Sequence, residues 1–263
     1  MKVSVLATGS KGNSTYIETK AKKILVDLGT TSIYVERNLK DIGIDPNDID
    51  GIFITHTHVD HVSGLRVFLK KHPTKLYLTK IMLDEIQKTF PVSDYELIDR
   101  NINLGDLQVE VIKTSHDVED SNAYIFSDSK SNLVYITDTG YINARYHNKI
   151  KNKNMYIIES NHDVEMLMNG RYPFHLKQRI LGDRGHLSNK QCAYYLSKLI
   201  GDNTKYIILI HLSEDNNNKE IAYNETKEQL CNSGVEIPKI IISSQKERTE
   251  IIKLWLKLFV LVR

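Results

Sequence analysis

The feature that most constrains this 263-residue chain is the segment Thr55-His56-Thr57-His58-Val59-Asp60-His61. It places three imidazoles and a carboxylate directly after the apolar strand pattern of residues 51–54. Because alternate residues of an extended chain point the same way, His56 and His58 can converge on one metal ion. Asp60 and His61 follow the bend and can reach a second ion, and such ligands suit a divalent ion that activates water. The segment therefore predicts a hydrolase site with two metal ions.

Charge and cysteine content limit the possible settings of this site. The net charge of +2 does not by itself indicate nucleic-acid binding, although it permits a local basic groove. Cys192 and Cys231 are too few for a disulfide scaffold, which predicts a reducing, cytoplasmic location. The first apolar stretch ends at Thr8, too soon for a signal-peptide core, and no apolar run is long enough to span a bilayer. No stable membrane insertion is expected.

The pattern of apolar residues predicts alternating strands and helices in two successive β-rich blocks. Strands are predicted over residues 3–8, 14–18, 23–28, 51–55, 77–79, 102–104, 109–114, 123–127, 133–137, 155–159, 205–210 and 239–242, and helices over residues 33–42, 64–71, 164–168, 173–181, 189–199 and 221–231. Without repeats or a linker, residues 1–263 are expected to form one domain, with two sheets face to face and helices outside. The apolar C-terminal tail, about residues 247–263, is expected to pack on the core as a final helix or strand. A membrane-surface or partner-binding tail is the alternative.

Ionisable residues also stand at the ends of four other predicted strands. They are Asp27, His116, Asp138 and His211. A single histidine of this kind is usually a hydrogen-bonded structural residue. Four such residues together with the histidine segment favour a site, because buried ionisable groups are costly unless they are used.

The order of these motifs resembles the metallo-β-lactamase superfamily, and the His-x-His-x-Asp-His segment is highly specific for it. The resemblance implies an αββα four-layer sandwich, in which two facing mixed β-sheets are flanked by helices. It implies that one metal is held by His56, His58 and His116, the other by Asp60, His61 and His211, with Asp138 bridging and Asp27 holding the histidine segment. Two divalent ions about 3.5–4 Å apart would share a bridging hydroxide as nucleophile. Zinc, manganese and iron all suit these ligands.

A later pair of residues directs the interpretation toward phosphodiesters. Glu159 ends a predicted strand, and His186 lies in Gly185-His186-Leu187-Ser188-Asn189 just before a helix. This pairing resembles phosphodiesterase branches of the superfamily, including tRNA 3′-processing endonucleases. It implies that His186 is a general acid oriented by Glu159, with Asp60 also among the catalytic residues. The alternative is that His186 only caps or packs beside its helix.

Several further motifs resemble the bacterial YycJ/WalJ branch of the superfamily. They are Ser10-Lys11-Gly12-Asn13, Ser115-His116-Asp117, Thr137-Asp138-Thr139-Gly140-Tyr141, Glu159-Ser160-Asn161-His162-Asp163, Leu176-Lys177-Gln178-Arg179-Ile180 and His211-Leu212-Ser213. The resemblance implies a metal-dependent 5′→3′ DNA exonuclease linked to DNA repair, with DNA as the partner.

Six residues are candidates for substrate contacts. Asn161 and His162 line the substrate cleft or else cap a loop. Lys177, Arg179 and Arg184 pair with phosphates or else belong to a solvated helix face. Tyr141 stacks on a base or is buried.

Other functions stay open from the sequence. They are a phosphodiesterase for a small cyclic or nucleotide-like substrate, an RNA-processing nuclease, a thioesterase- or lactamase-type hydrolase, and a non-catalytic metal-dependent nucleic-acid-binding protein. A thioesterase has little need for the Glu159–His186 pair, and no ligand position is replaced by an inert residue, which disfavours the binding protein. No sequence feature specifies an oligomeric state.

Overall fold

The computed structural model describes residues 1–245 and 247–254. Numbered along the chain, its strands are β1 (Lys2–Ala7), β2 (Ser14–Glu18), β3 (Lys23–Val26), β4 (Gly51–Phe53), β5 (Lys75–Leu78), β6 (Tyr95–Leu97), β7 (Ile102–Leu104), β8 (Leu107–Lys113), β9 (Asn122–Ser127), β10 (Asn132–Ile136), β11 (Met155–Glu159), β12 (Tyr206–Ile210), β13 (Lys239–Ile242) and β14 (Ile252–Lys253). Its helices are α1 (Ser32–Asp41), α2 (Val59–Val62), α3 (Leu65–Lys71), α4 (Lys80–Gln87), α5 (His147–Ile150), α6 (Val164–Asn169), α7 (Phe174–Leu181), α8 (Asn189–Leu199) and α9 (Lys219–Asn232).

The strands form two mixed sheets. The first has the order β14-β1-β2-β3-β4-β5-β6, and the second has the order β13-β12-β11-β10-β9-β8-β7. In the first sheet β3 to β6 are parallel, and in the second sheet β10 to β13 are parallel. Each sheet therefore has several strands whose carboxyl ends meet at one edge, which is where loops from parallel strands assemble sites.

The two sheets enclose a shared apolar core because alternate strand residues point to opposite faces. Ile24 and Val26 of β3 pack between the sheets, whereas Leu25 packs on the outer face of the first sheet. Between the sheets, the rings of Phe53 and Tyr77 stack with centroids 4.5 Å apart. Burial of this kind contributes about 25 cal/mol per Å² of apolar surface, so the interface between the sheets is a main source of stability.

Helices cover both outer faces of the sheets. On the first sheet, α1, α3 and α4 contribute buried side chains such as Leu39, Phe68 and Ile86. On the second sheet, α8 and α9 contribute Leu196 and Leu230. The layers are helices, sheet, sheet and helices, so the predicted αββα sandwich is confirmed.

The sequence pattern missed several short elements. Helix α4 was not predicted because its buried residues occupy only two turns. Thr79 was predicted to end a strand, but its side chain caps this helix by accepting from the Met82 N–H. Strand β6 has one half-buried residue between two exposed ones, so it shows little of the apolar signal of a strand. Helix α2 begins within the histidine segment, at Val59, and ends at Val62.

The beginning of the C-terminal tail packs on the core as expected. Strand β14 pairs antiparallel with β1, with Ile252 opposite Val3. Ile252 is buried, and Leu254 packs against the cluster between the sheets. Residues 255–263 of the predicted tail lie outside the described residues. In the described part of the chain, no helix is long and apolar enough to cross a membrane.

Hydrogen bonds join the two sheets at the edge where the predicted site residues lie. The Asn122 N–H, at the start of β9, donates to the Thr55 carbonyl oxygen at 2.8 Å. The His211 N–H, just after β12, donates to Thr8 Oγ1 just after β1, also at 2.8 Å. These bonds fix the loops of one sheet against the loops of the other.

Candidate metal centre

The structure brings the seven predicted metal ligands together at this shared edge. His56, His58, Asp60 and His61 follow β4, and the other three follow strands of the second sheet: His116 after β8, Asp138 after β10 and His211 after β12. Among the described residues, four groups of His, Asp and Glu have ligand atoms within 4.8 Å of one another. Two of them are the sets predicted from the sequence: His56, His58 and His116, and Asp60, His61 and His211. The other two contain Asp138, one with His56 and His61 and one with Glu159, His186 and His211.

The first group is compact. His56 Nε2 lies 3.1 Å from His58 Nδ1, and His116 Nε2 lies 3.3 Å from the same Nδ1 atom. His116 is oriented from behind, because its Nδ1 lies 3.2 Å from the carbonyl oxygen of Gly185. A ring nitrogen bonded to a carbonyl oxygen leaves the other nitrogen of that ring available to a metal.

The second group adjoins the first through Asp138. Asp60 Oδ2 lies 3.5 Å from both His61 Nε2 and His211 Nε2. Asp138 Oδ2 lies 3.3 Å from His61 Nε2, and its Oδ1 lies 3.6 Å from His211 Nε2 and 3.7 Å from His116 Nε2. One carboxylate thus faces ligands of both groups, which is the position that a bridging ligand requires.

The electrostatics of the donor atoms fit divalent cations. Burial lowers the pKa of His56, His58 and His116, so these imidazoles are neutral and keep a lone pair. Burial also lowers the pKa of His61, but the carboxylates of Asp27 and Asp138 outweigh it and raise that pKa well above its ordinary value. The centre therefore favours a positive charge between its carboxylates, and mixed imidazole and carboxylate donors suit zinc, manganese or iron.

The backbone at three of the strand ends adopts a conformation that non-glycine residues rarely use. Asp27, Asp138 and His211 have φ values of 58°, 51° and 57°, and among the described non-glycine residues only Asn152 shares a positive φ. Each such residue costs of order 1–3 kcal/mol, and such strain clusters at functional sites. In all three residues the strained backbone turns an ionisable side chain into the space between the sheets' edges.

Asp27 is fully buried and holds the histidine segment in place. Its carboxylate accepts from the Thr55 N–H at 2.8 Å and the Thr55 hydroxyl at 2.7 Å, and its Oδ2 lies 2.8 Å from His61 Nδ1. The neighbouring Gly29 allows the close approach, since a Cβ atom there would lie 1.6 Å from the Asp60 carbonyl oxygen. These contacts agree with the predicted orienting role of Asp27.

Substitution of Asp27 by asparagine should lower metal affinity about 10- to 100-fold, the usual effect of losing a partner that orients a metal-binding histidine. Asparagine tolerates positive φ and can still accept from the Thr55 N–H, so the fold should persist. Titration of the purified variant with a competing chelator measures the affinity. The exposed Asp94→Asn serves as the control, and an Asp27→Asn affinity equal to that of the control would contradict the role.

Glu159 and His186 form a pair beside this centre. Glu159 is fully buried, and its Oε1 accepts from the N–H groups of Thr139 at 2.8 Å and Leu187 at 3.1 Å. Its Oε2 lies 3.0 Å from His186 Nδ1, which in turn is 3.6 Å from Asp138 Oδ1. Although burial lowers the pKa of His186, the carboxylate of Glu159 outweighs it and raises that pKa to about 9.

Local sequence explains how His186 is held. Ser188 and Gln191 form a capping box that starts α8 two residues after His186. Just before it, Gly185 lies against the preceding turn, because a Cβ atom there would be 2.1 Å from the Ile180 carbonyl oxygen. The ring of His186 also stacks on that of His211 with centroids 5.3 Å apart. The ring of His186 thus lies against the predicted ligands His211 and Asp138, and its role as a general acid stays a prediction.

The candidate substrate residues Asn161 and His162 have different surroundings in the structure. Asn161 Nδ2 donates to the His211 carbonyl oxygen at 3.0 Å and lies 3.2 Å from His211 Nδ1, so it positions a predicted ligand. The expectation that His162 lines the cleft is wrong, because this side chain is fully buried and lies against Asn161.

The basic candidates also differ. The Lys177 ammonium, a candidate for pairing with a phosphate, instead donates to the carbonyl oxygens of Met168 at 2.6 Å and Gly170 at 2.8 Å, at the end of α6. Arg184 supports the loop after β8, since its Nε donates to the His116 carbonyl oxygen at 2.9 Å. Arg179 forms an ion pair with Asp117, and the other carboxylate oxygen of Asp117 lies near His58 and His116.

Asp117 and Asn13 lie at the centre, although the sequence indicates no role for either. Asp117 Oδ1 lies 3.3 Å from His116 Nε2 and 3.4 Å from His58 Nε2. Asn13 Nδ2 lies 3.0 Å from His61 Nε2 and 3.2 Å from Asp60 Oδ2. The only signal for either was its position within a motif. Tyr141 is 39% exposed on the loop after β10, and its stacking role stays a prediction.

Comparison with known proteins agrees with this fold and site. The family described as "Metallo-beta-lactamase superfamily" matches residues 7–211. The chain belongs to this superfamily, and it is a metal-dependent hydrolase. The resemblance inferred from the motifs is confirmed.

Individual relatives are similar over most of the chain. Exodeoxyribonuclease YycJ of Bacillus anthracis is 39% identical over 242 residues, which are 88% of this chain and 89% of the relative. Exodeoxyribonuclease WalJ of Streptococcus pneumoniae is 38% identical over 241 residues, which are 89% of this chain and 90% of the relative. Among solved structures, the metallo-β-lactamase fold protein YhfI of Bacillus subtilis has a TM-score of 0.72 at 16% identity, covering 95% of this chain and 98% of that one, so the two share the fold.

Proposed function

We propose that this chain is a nuclease that degrades DNA in the 5′→3′ direction and uses two divalent metal ions. The observation that supports this most directly is the buried Glu159 carboxylate bonded to His186, beside Asp138. The pair supplies a protonated imidazole next to the metal centre, which hydrolysis of a phosphodiester needs at the leaving oxygen. Two relatives that match 88% and 89% of this chain are named exodeoxyribonucleases, which supports DNA as the substrate.

The ligand assignment follows the two groups and the carboxylate between them. His56, His58 and His116 would hold one ion, Asp60, His61 and His211 would hold the other, and Asp138 would contact both. When bound, such ions lower the pKa of an attacking water and neutralise charge on the phosphate. Asp60 Oδ2 lies 3.5 Å from Nε2 of both His61 and His211, so its negative charge would help to hold the second ion.

His186 holds the proton that the leaving oxygen would take. Its Nδ1 faces Glu159, so Nδ1–H donates to the Glu159 carboxylate and Nε2–H remains for the substrate. The side chain of His186 is 20% exposed whereas that of Glu159 is fully buried, so the imidazole can reach substrate while its orienting carboxylate cannot. The Glu159 charge stabilises the protonated imidazole, which is the form that a general acid requires.

Arg179 and Tyr141 are the remaining candidates for substrate contacts. The Arg179 side chain is 60% exposed and bonds Asp117 beside His58, so its guanidinium lies at the rim of the centre and can contact a phosphate. The partly exposed Tyr141 follows Asp138 by three residues and offers a ring for a base.

A degradation assay tests the proposed function. Purified protein with Mn²⁺ or Zn²⁺ is incubated with single- and double-stranded DNA and RNA that carry a label at the 5′ or the 3′ end. We expect DNA loss that releases the 5′ label first as mononucleotide and shortens 3′-labelled strands progressively. Release of the 3′ label first would contradict the direction, and equal or faster loss of RNA would contradict DNA as the substrate. Hydrolysis of a thioester but no nucleic acid would contradict a nuclease altogether.

A further inference from the structure

An open groove of about 710 Å³ is lined in part by Leu212 and Ser213, which directly follow the predicted ligand His211 in the chain. Its sides come from the loop after β1, the loop after β12, the start of α9 and the segment after β13. Residues lining it include Lys11, Ser213, Glu214, Lys219 and Gln245. The volume is within the range of pockets that hold one small organic ligand, such as one or two nucleotides of a strand.

The groove adjoins the predicted ligands on two sides. Ser213 follows His211 by two residues, and its N–H donates to the Asn161 carbonyl oxygen at 2.7 Å. Lys11 precedes Asn13 by two residues, and Asn13 Nδ2 contacts Asp60 and His61. A strand with one phosphate at the metal centre can therefore continue into this groove with its neighbouring nucleotide.

One wall of the groove is fixed by close packing. Gln245 Nε2 donates to the Leu212 carbonyl oxygen at 2.8 Å, and the Gln245 side chain lies directly against Gly9. Gly9 has φ +100°, and a Cβ atom at that position would be 2.5 Å from Gln245 Nε2. The glycine permits this wall to form, because a larger residue would have both a strained backbone and a clash.

An ion pair crosses the groove from one loop to the other. Lys11 Nζ lies 2.5 Å from Glu214 Oε2, with the two side chains 72% and 40% exposed. Exposed ion pairs of this kind contribute little, about 0–1 kcal/mol, so the pair separates easily. A phosphate offers a lysine an oxygen anion at least as good as a carboxylate. Lys11 can thus exchange Glu214 for a phosphate that enters the groove.

We infer that this groove is a binding subsite for the nucleotide next to the cleaved phosphate, and that Lys11 binds a backbone phosphate there after leaving Glu214. The inference rests on the proposed nuclease function, since it takes the DNA strand as the ligand. Glu214 is then a competitor that occupies Lys11 until a strand arrives. Lys219, exposed at the first position of α9, adds a second positive charge along the same groove.

Binding measurements on the metal-loaded full-length chain test the subsite. The probe is a short fluorescent oligodeoxynucleotide with phosphorothioate linkages, which slow cleavage, and anisotropy gives its Kd at several salt concentrations. Lys11→Gln should weaken binding and make the slope of log K against log salt shallower by about 0.7, the value for one phosphate contact on a single strand. Glu214→Gln should tighten binding up to about fivefold, because the competing ion pair is gone.

The double variant separates competition from simple charge. If Glu214 acts by occupying Lys11, the gain from Glu214→Gln should largely vanish in the Lys11→Gln background. An equal gain in both backgrounds would overturn the exchange of partners, as would an unchanged affinity in both single variants. Lys130→Gln, in the turn between β9 and β10, is the matched control and should bind like the wild type.

Binding and cleavage measured together distinguish failure of the subsite from failure of the proposed nuclease function. Wild-type protein that cuts natural DNA while Lys11→Gln and Glu214→Gln bind normally would overturn the subsite and support the nuclease. Protein that shows the expected effects on binding without cutting any DNA would support the subsite and contradict the nuclease.

Discussion

Replacement of His186 by glutamine should lower kcat for DNA cleavage by about 10²- to 10⁴-fold, the usual contribution of a positioned general acid. Glutamine keeps a polar side chain of similar reach beside Glu159 but has no proton to transfer. Because His186 is not among the predicted ligands, the metal content of the variant should stay the same. Single-turnover rates on labelled DNA, combined with elemental analysis of the purified variant, measure both quantities.

A substrate whose leaving group needs no proton distinguishes proton donation by His186 from substrate positioning. Bis(4-nitrophenyl) phosphate releases 4-nitrophenolate, an anion that leaves without protonation. His186→Gln should therefore lose much less activity on this substrate than on DNA. Glu159→Gln should likewise lose more activity on DNA than on bis(4-nitrophenyl) phosphate, because the Glu159 carboxylate raises the pKa of His186. His147→Gln, on α5, is the matched control. An equal loss on both substrates would argue that His186 positions substrate rather than donating a proton.

Replacement of Asp138 by asparagine or alanine should reduce both metal affinity and activity, each by at least about 100-fold. Loss of an outer partner of a ligand already costs 10- to 100-fold, and Asp138 faces both ligand groups directly. Burial raises the pKa of Asp138, but His211 and His61 hold it well below the ordinary range, so the fold keeps a charged carboxylate here.

The two variants at this position differ in backbone strain. Asp138 has φ 51°, which asparagine adopts more readily than alanine. Asp138→Asn should therefore unfold at a higher temperature than Asp138→Ala while losing the metal equally. Calorimetry and elemental analysis test the two effects separately. An Asp138→Asn protein with a full complement of metal and normal cleavage would refute a bridging role for this carboxylate.

Much of the fold could be predicted because its strands and longer helices carry strong local patterns. The prediction for β2 matches the structure, and so do those for β11 and α8. Local patterns fail where an element is short or half-exposed, as in β6, or where one residue serves two elements, as Thr79 does between β5 and α4. Such elements are selected by their neighbours in the sheet rather than by their own sequence.

Side-chain contacts between residues far apart in the chain could not be predicted from local patterns either. Lys177 and Arg179 lie on the same short helix and looked equivalent in the sequence. In the structure Lys177 bonds backbone carbonyl oxygens near the end of α6, whereas Arg179 pairs with Asp117, 62 residues earlier. Asn13 likewise reaches Asp60 across 47 residues of chain. No periodic pattern encodes which distant partner a flexible polar side chain finds.

The sequence alone determined which residues serve as candidate ligands, because few side-chain types bind divalent metals and these stand at the ends of apolar strands. It also determined the pairing of Glu159 with His186 through a specific family resemblance. Only the tertiary structure decided how these groups face one another, that His162 is buried, and that Lys11 and Glu214 meet across a groove. Those facts depend on packing between the two sheets and their loops, which brings together residues that are far apart in the chain.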